Sequence, residues 1–325
     1  MSHLWYKLCE SSEIGDIERV RFILECGADV HVSYSFPLRV SSRNGHAEVV
    51  KLLLAAGADV HARNSESLRV SSINGHAEVV KFLLAAGADV HARNSEPLRR
   101  SSENGHVEVV KLLLEAGADV HACNSEPLRV SSKNGHVRVV HLLLAAGADV
   151  HAFNSDPICV SSYNGHVEIV KLLLDAGADV HARDSYSLYI SSRNGHVDVV
   201  KLLLDAGADV NAYKSSPLRS SSRNGHDDVV KLLLSRGATW NAAWKGEIAH
   251  DVVLKPTIRS LLVSTFKLRR WFRSRLMRLR LRRIGRVCLM RRMCIELEHS
   301  PPKGPFQGGI KYIESKESFL VKLCF

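Results

Sequence analysis

The stretch Leu68-Arg69-Val70-Ser71-Ser72-Ile73-Asn74-Gly75-His76-Ala77-Glu78-Val79-Val80-Lys81-Phe82-Leu83-Leu84-Ala85-Ala86-Gly87-Ala88-Asp89-Val90-His91-Ala92 recurs with small changes along most of the chain. Its Asn-Gly-His centre falls at 44–46, 74–76, 104–106, 134–136, 164–166, 194–196 and 224–226, a constant step of 30 residues. A degenerate copy, Leu4 to Val30, precedes these seven, with Gly15-Asp16 where Gly-His would fall. A further degenerate copy is expected from Glu247 through Phe266. Self-similarity at this period is the mark of a stacked repeat architecture.

One period predicts two short helices. Pro37, Pro97, Pro127, Pro157 and Pro217 sit where a first helical residue would, with φ already set and no donor to lose. That helix runs to Asn-Gly, where glycine supplies the left-handed residue that ends it. The second, such as Val49-Val50-Lys51-Leu52-Leu53-Leu54, is apolar on more than one face and needs neighbours on both sides. It stops at Gly57, and a mostly polar segment from Asp59 to Glu66 crosses back. No unit of 30 residues buries its own apolar surface, so stacking must stabilise the chain. The paired serines, Ser41-Ser42 and their copies, are small enough for helices to approach closely, and their hydroxyls can bond back to the carbonyl four residues earlier.

The pattern Asn-Gly-His-x-Glu-Val-Val-Lys-Leu-Leu-Leu-x-Ala-Gly-Ala-Asp-Val resembles the second half of an ankyrin repeat. The resemblance covers about residues 1–266 and implies an all-α ankyrin-repeat solenoid of about nine stacked helix-turn-helix units: seven regular ones over 37–244 plus degenerate ends. Two departures matter. The family's Thr-Pro-Leu-His opening reads Pro-Leu-Arg or Ser-Leu-Arg in most units, so its threonine and histidine hydrogen bonds are absent. The period of 30 is shorter than the family's 33, and the residues missing between Ala62 and Leu68 imply a short inter-repeat loop in place of a β-hairpin finger. The short form is similar to arrays encoded by giant DNA viruses.

Positions kept in every regular copy are those that stacking dictates, and positions that differ are free or used for recognition. Thirteen of the 17 histidines lie in two periodic rows, His46 to His226 and His31 to His181. Units stacked about 8–10 Å apart hold such rows too far apart for two imidazoles to share one metal ion. The variable positions fall in the loop and first helix, the surfaces that the ankyrin resemblance turns toward partners. The loop row reads Ser33, Arg63, Arg93, Cys123, Phe153, Arg183, Tyr213. The first-helix rows read Arg39, Arg69, Arg99, Arg129, Cys159, Tyr189, Arg219 and Arg43, Ile73, Glu103, Lys133, Tyr163, Arg193, Arg223. Aromatics and arginines are enriched in binding hot spots. The candidate partner-binding residues are therefore Phe153, Tyr163, Tyr186, Tyr189 and Tyr213, with Arg63, Arg93 and Arg183.

No phosphate loop, dinucleotide fingerprint, nucleophile elbow or metalloprotease motif occurs, so no catalysis, cofactor or small-molecule substrate is expected. Seven cysteines, odd in number and without zinc-ligand spacing, favour a reducing compartment. With no basic-then-apolar start, the expected location is intracellular, cytoplasmic or in a host cell, with the nucleus an alternative. The chain is expected to be a monomer that binds another protein.

Charge is distributed unevenly. The formal net charge is +10, yet residues 1–251 hold 26 bases against 30 acids, and no acid occurs from Val252 to Ile295, a stretch with 14 Lys+Arg. Overlapping this stretch, residues 267–299 read as a basic amphipathic helical segment, with Leu268, Phe272, Leu276 or Met277, Leu281, Ile284 and Cys288 recurring at steps of three to five. Arg269, Arg270, Arg273, Arg275, Arg278, Arg280, Arg282 and Arg283, beside Trp271 and Phe272, suit nucleic acid. They equally suit an anionic membrane, a nuclear address, or the outward face of a helix that caps the stack. A Leu-Pro-x-Glu opening of an F-box-like module is absent after residue 244, and 300–325 reads as a flexible tail.

Overall fold

Proline, glycine and the apolar spacing divide each period into two helices. In a computed structural model of the chain, which describes residues 2–239, the first helices are α1 (Ser2–Ile14), α3 (Val32–Asn44), α5 (Ala62–Asn74), α7 (Ala92–Asn104), α9 (Ala122–Asn134), α11 (Ala152–Asn164), α13 (Ala182–Asn194) and α15 (Ala212–Asn224). The second helices are α2 (Ile17–Glu25), α4 (Ala47–Ala55), α6 (Ala77–Ala85), α8 (Val107–Glu115), α10 (Val137–Ala145), α12 (Val167–Asp175), α14 (Val197–Asp205) and α16 (Asp227–Ser235). There is no strand among the described residues, and the architecture is an all-α solenoid of helix pairs. The ninth unit expected at Glu247–Phe266, the basic segment 267–299 and the tail 300–325 lie outside the described residues.

The chain forms two compact units, Met1–Arg183 and Asp184–Phe325. In the first, α1, α3, α5, α7, α9 and α11 pack in sequence, and α2, α4, α6, α8, α10 and α12 form a second row. In the second, α14 and α15 both pack on α16. Leu38, Val50 and Leu53 and their copies are fully buried. Each such side chain contributes about 1.5–3 kcal/mol, available only when neighbouring units are in place.

The crossing segment is not an open loop. Ser33-Tyr34-Ser35, Arg63-Asn64-Ser65, Arg93-Asn94-Ser95, Cys123-Asn124-Ser125, Phe153-Asn154-Ser155 and Arg183-Asp184-Ser185 all have φ of 50–61°. A left-handed turn thus opens each of these first-helix segments, and Pro37, Pro97, Pro127 and Pro157 follow it in the first right-handed turn. Asparagine at the middle position tolerates this conformation better than other side chains. The turn is tied to the following unit as well as locally: the Asp59 N–H, 24 residues on, donates to Ser35 Oγ (3.0 Å), while Asp59 Oδ1 accepts from the His61 N–H (2.9 Å). The second helices end in Schellman caps, with Gly57 N bonded to Leu54 O and Ala58 N to Leu53 O, both 3.0 Å.

A further repeated set of contacts joins neighbouring units at the Asn-Gly-His centre. Asn44, Asn74, Asn104, Asn134, Asn164 and Asn224 each donate Nδ2 to a carbonyl 31 residues earlier, at 2.7–2.9 Å. The histidine two residues on approaches the same carbonyl through Nε2, at 2.8–3.0 Å. A carbonyl only accepts, so Nε2 carries the proton. The imidazole also lies over the glycine of the unit before: a Cβ on Gly45 (φ +82°) would stand 2.6 Å from His76 Nδ1. Both residues of Asn-Gly, and the histidine, are therefore required by the junction.

The unit Leu4–Val30 departs from the regular copies in sequence. Glu10 and Arg19 stand where regular units bury Val40 and Val49, and they pair at 3.9 Å, both about half exposed. Asp16 replaces the histidine and instead caps its own helix, accepting from the Arg19 N–H at 3.0 Å. Glu10 and Asp16 thus have defined partners, and Glu18 lies 3.6 Å from Arg21.

The two serines of each pair differ. Ser71 Oγ donates to Ser67 O at 2.9 Å, as expected of a helical serine, and Ser41, Ser101, Ser131, Ser161, Ser191 and Ser221 do likewise with their own carbonyls. Ser72 and its equivalents Ser42, Ser102, Ser132, Ser162, Ser192 and Ser222 are as deeply buried, but their hydroxyls have no hydrogen-bond partner among the described residues. A buried unmet hydroxyl is unfavourable by about 1–3 kcal/mol. Ser72→Ala is therefore expected to raise stability by about 1 kcal/mol and Ser71→Ala to lower it by about 1 kcal/mol. Urea unfolding of the two variants checks this, and equal effects would contradict the assignment.

Candidate protein-interaction surface

The left-handed turns decide which side chains face outward. Each buries its third residue, the serine, and exposes the first two, as in Arg63-Asn64 and Arg93-Asn94. Just inside lies the variable first-helix row, of which Arg39 is buried and Arg69, Arg99 and Arg129 are partly so. Between these two rows stand Glu66, Glu96 and Glu126, whose positions the row-by-row comparison of arginines and aromatics passed over.

These residues form a ladder across units. Arg39 Nε lies 2.7 Å from Glu66, and the same carboxylate faces Arg69 at 3.2 Å and Arg63 at 3.7 Å. Glu96 faces Arg69 and Arg93, each at 3.8 Å, and Glu126 faces Arg99 at 2.6 Å and Arg129 at 3.4 Å. Burial pushes the Arg39 guanidinium below its ordinary pKa, and the Glu66 charge opposes that shift. The predicted contact residues Arg63 and Arg93 thus lean on internal acids while remaining about half exposed, 53% and 54%. Arg183, the last residue of the first compact unit, faces Asp156 at 3.4 Å and donates to the Phe153 carbonyl.

The ladder changes character at 153–159. Phe153 replaces an arginine at the turn and Cys159 replaces one in the helix, where it is buried. Arg129 lies over the Phe153 ring, 5.8 Å from its centroid, and the ring remains 44% exposed in a left-handed backbone that bulky residues rarely adopt. Tyr163, at the end of α11, is 54% exposed. In the second compact unit, Tyr186 and Tyr189 are half-buried and meet each other, with ring centroids 5.7 Å apart. Tyr213 lies in α15, and its side chain is outside the described residues, as are all eight arginines from Arg269 to Arg283.

Surface electrostatics follow from the ladder. Among the described residues, the arginines 39, 63, 69, 93, 99 and 129 on its rows pair with the acids 66, 96 and 126. This face therefore carries excess positive charge held by internal pairs, and an exposed aromatic ring at its end.

A family model described as ankyrin repeats (three copies) matches residues 8–94, 68–154, 98–184 and 158–243, which together span most of the chain. No curated protein matches.

Glu66→Gln removes the charge shared by three arginines in a mostly buried place and is expected to lower stability by about 1–3 kcal/mol. Glu103→Gln disrupts only the exposed pair with Arg100 and is expected to change it by less than about 1 kcal/mol. Denaturant midpoints of the two variants check the contrast.

Proposed function

The chain belongs to the ankyrin repeat family, and on that premise we propose that it is a non-catalytic protein-interaction scaffold whose ladder face receives an acidic, apolar segment of another protein. Ankyrin repeats generally mediate contacts between proteins. The observation that carries the finer reading is the Arg–Glu ladder ending at the exposed Phe153 ring. Stacked units supply a rigid frame, so a partner meets side chains already ordered, which lowers the entropic cost of binding. Aromatic and arginine anchors then dominate the affinity.

The test uses the full chain as bait, with the doubly substituted Phe153→Ala, Tyr163→Ala chain beside it. A partner of this surface is expected to bind the variant roughly tenfold or more weakly, while the circular dichroism of the two chains stays the same. Unchanged affinity would contradict the assignment. Tyr186→Ala with Tyr189→Ala tests the second compact unit's aromatic pair in the same way.

A second reading is supported by the charge distribution. A stretch of 14 Lys+Arg without one acid, from Val252 to Ile295, favours a polyanion as an additional ligand of residues 267–293. Binding of the full chain and of a 1–266 truncation to RNA and to anionic vesicles is the measurement. The full chain is expected to bind with an affinity that falls steeply with salt, and the truncation to lose that binding. Equal binding by both would remove this reading.

A further inference from the structure

Asn-Gly is the dipeptide most prone to losing its side-chain amide, because glycine has no side chain to hinder attack by its own backbone nitrogen. The chain carries seven such pairs, from Asn44-Gly45 to Asn224-Gly225. The junction explains why none has been replaced. The asparagine must donate to the carbonyl of the preceding unit, as Asn74 Nδ2 does to Arg43 O at 2.9 Å. The glycine must adopt positive φ, +80° at Gly75, beneath the next unit's imidazole, where a Cβ would stand 2.6 Å from His106 Nδ1.

The same contacts withhold the reaction. The amide of Asn74 is held away by its bond to Arg43 O, and the Gly75 N–H is engaged with Ser71 O at the end of α5. The His106 ring covers Gly75, and its Nε2 binds the carbonyl of Ile73, immediately before the pair, at 2.9 Å. Attack requires the contacts to Arg43 O and His106 to be released, which happens when the unit parts from its neighbours. The last turn of α5 must also fray, so that the Gly75 N–H leaves Ser71 O. Local opening of this kind has a much smaller free energy than global unfolding in a stack of nearest-neighbour contacts.

We infer that the Asn-Gly pairs are spontaneous deamidation sites gated by stacking, so that a unit which opens is modified and then re-stacks poorly. In the open unit the Gly75 nitrogen gives up its proton to water and attacks Asn74 Cγ. The Cγ–Nδ2 bond breaks, ammonia leaves with a proton regained from water, and a succinimide remains. Water then opens the ring at either carbonyl, leaving aspartate or isoaspartate. In the product a carboxylate oxygen stands where Nδ2 donated, so two acceptors face one another at the Arg43 carbonyl. Its negative charge also lies at the C-terminal end of α5, where the helix dipole disfavours it. Isoaspartate further lengthens the main chain directly under His106. One event at 74–75 therefore weakens the junctions on both sides of its unit.

The full chain is incubated at neutral pH and physiological temperature, with and without unfolding urea, and aspartate and isoaspartate are quantified at Asn74 and Asn164 by peptide mapping. The expected rate is roughly tenfold or more slower in the folded chain, following the small open population. A His106→Ala chain, which uncovers Gly75 and frees the Ile73 carbonyl, is expected to deamidate several-fold faster at Asn74, with Asn164 unchanged. The Asn74→Asp chain is expected to unfold at lower urea than the parent. Equal rates in buffer and urea, or an Asn74 rate unmoved by His106→Ala, would overturn the gating. An unchanged midpoint for Asn74→Asp would overturn the impaired re-stacking.

Discussion

One backbone carbonyl per unit holds the stack together. Arg43 O accepts from Asn74 and His76, Ile73 O from Asn104 and His106, and Glu103 O from Asn134 and His136. These carbonyls lie in the last turn of a first helix, where no N–H of the same helix is left to satisfy them. The next unit supplies two donors at once. Because the imidazole that reaches the carbonyl must pass over the preceding glycine, that glycine's lack of a side chain and its left-handed backbone belong to the same contact. Asn, Gly and His are thus a single device shared between neighbours.

Around this device the other features are arranged by position in the array. Regular units bury valines such as Val49, while the unit Leu4–Val30 carries Glu10 and Arg19 at the equivalent of Val40 and Val49 and Asp16 in place of the histidine. The Arg–Glu ladder adds a second set of inter-unit contacts on another face, less regular than the first. That irregularity is informative. The Asn-Gly-His junction recurs unchanged in seven copies, whereas the ladder rows change to the exposed Phe153 and the buried Cys159.

Much of the fold was legible in residue spacing. The constant step of 30, proline near the start of the first helix, glycine at both helix ends and the doubly apolar second helix each correspond to an observed element. The back-bonding of Ser41 and its copies was also readable, since it is local. The left-handed turn at Arg63-Asn64-Ser65 was not, because φ near +50° in non-glycine residues runs against local preference, and only the central asparagine signals it. Nor was the partner of His76, which lies 33 residues away, or the pairing of Arg39 with Glu66, 27 residues on. Spacing within a unit is written in the sequence, but contacts between units depend on how far one helix pair is rotated against the next. The candidate surface shared this fate: its aromatic members were visible, while the acids that hold its arginines were overlooked.

The central claim, that glycine and histidine of adjacent units form one contact, is tested most directly by a double-mutant cycle on Gly75→Ala and His106→Ala with urea unfolding as the readout. The added methyl is expected to be unfavourable by more than about 2 kcal/mol in the parent, combining the collision with His106 and the left-handed strain. With His106 already alanine, only the strain of about 1–2 kcal/mol should remain, giving a coupling of about 1 kcal/mol or more. Strictly additive effects would show that the two residues act independently and would contradict the shared junction.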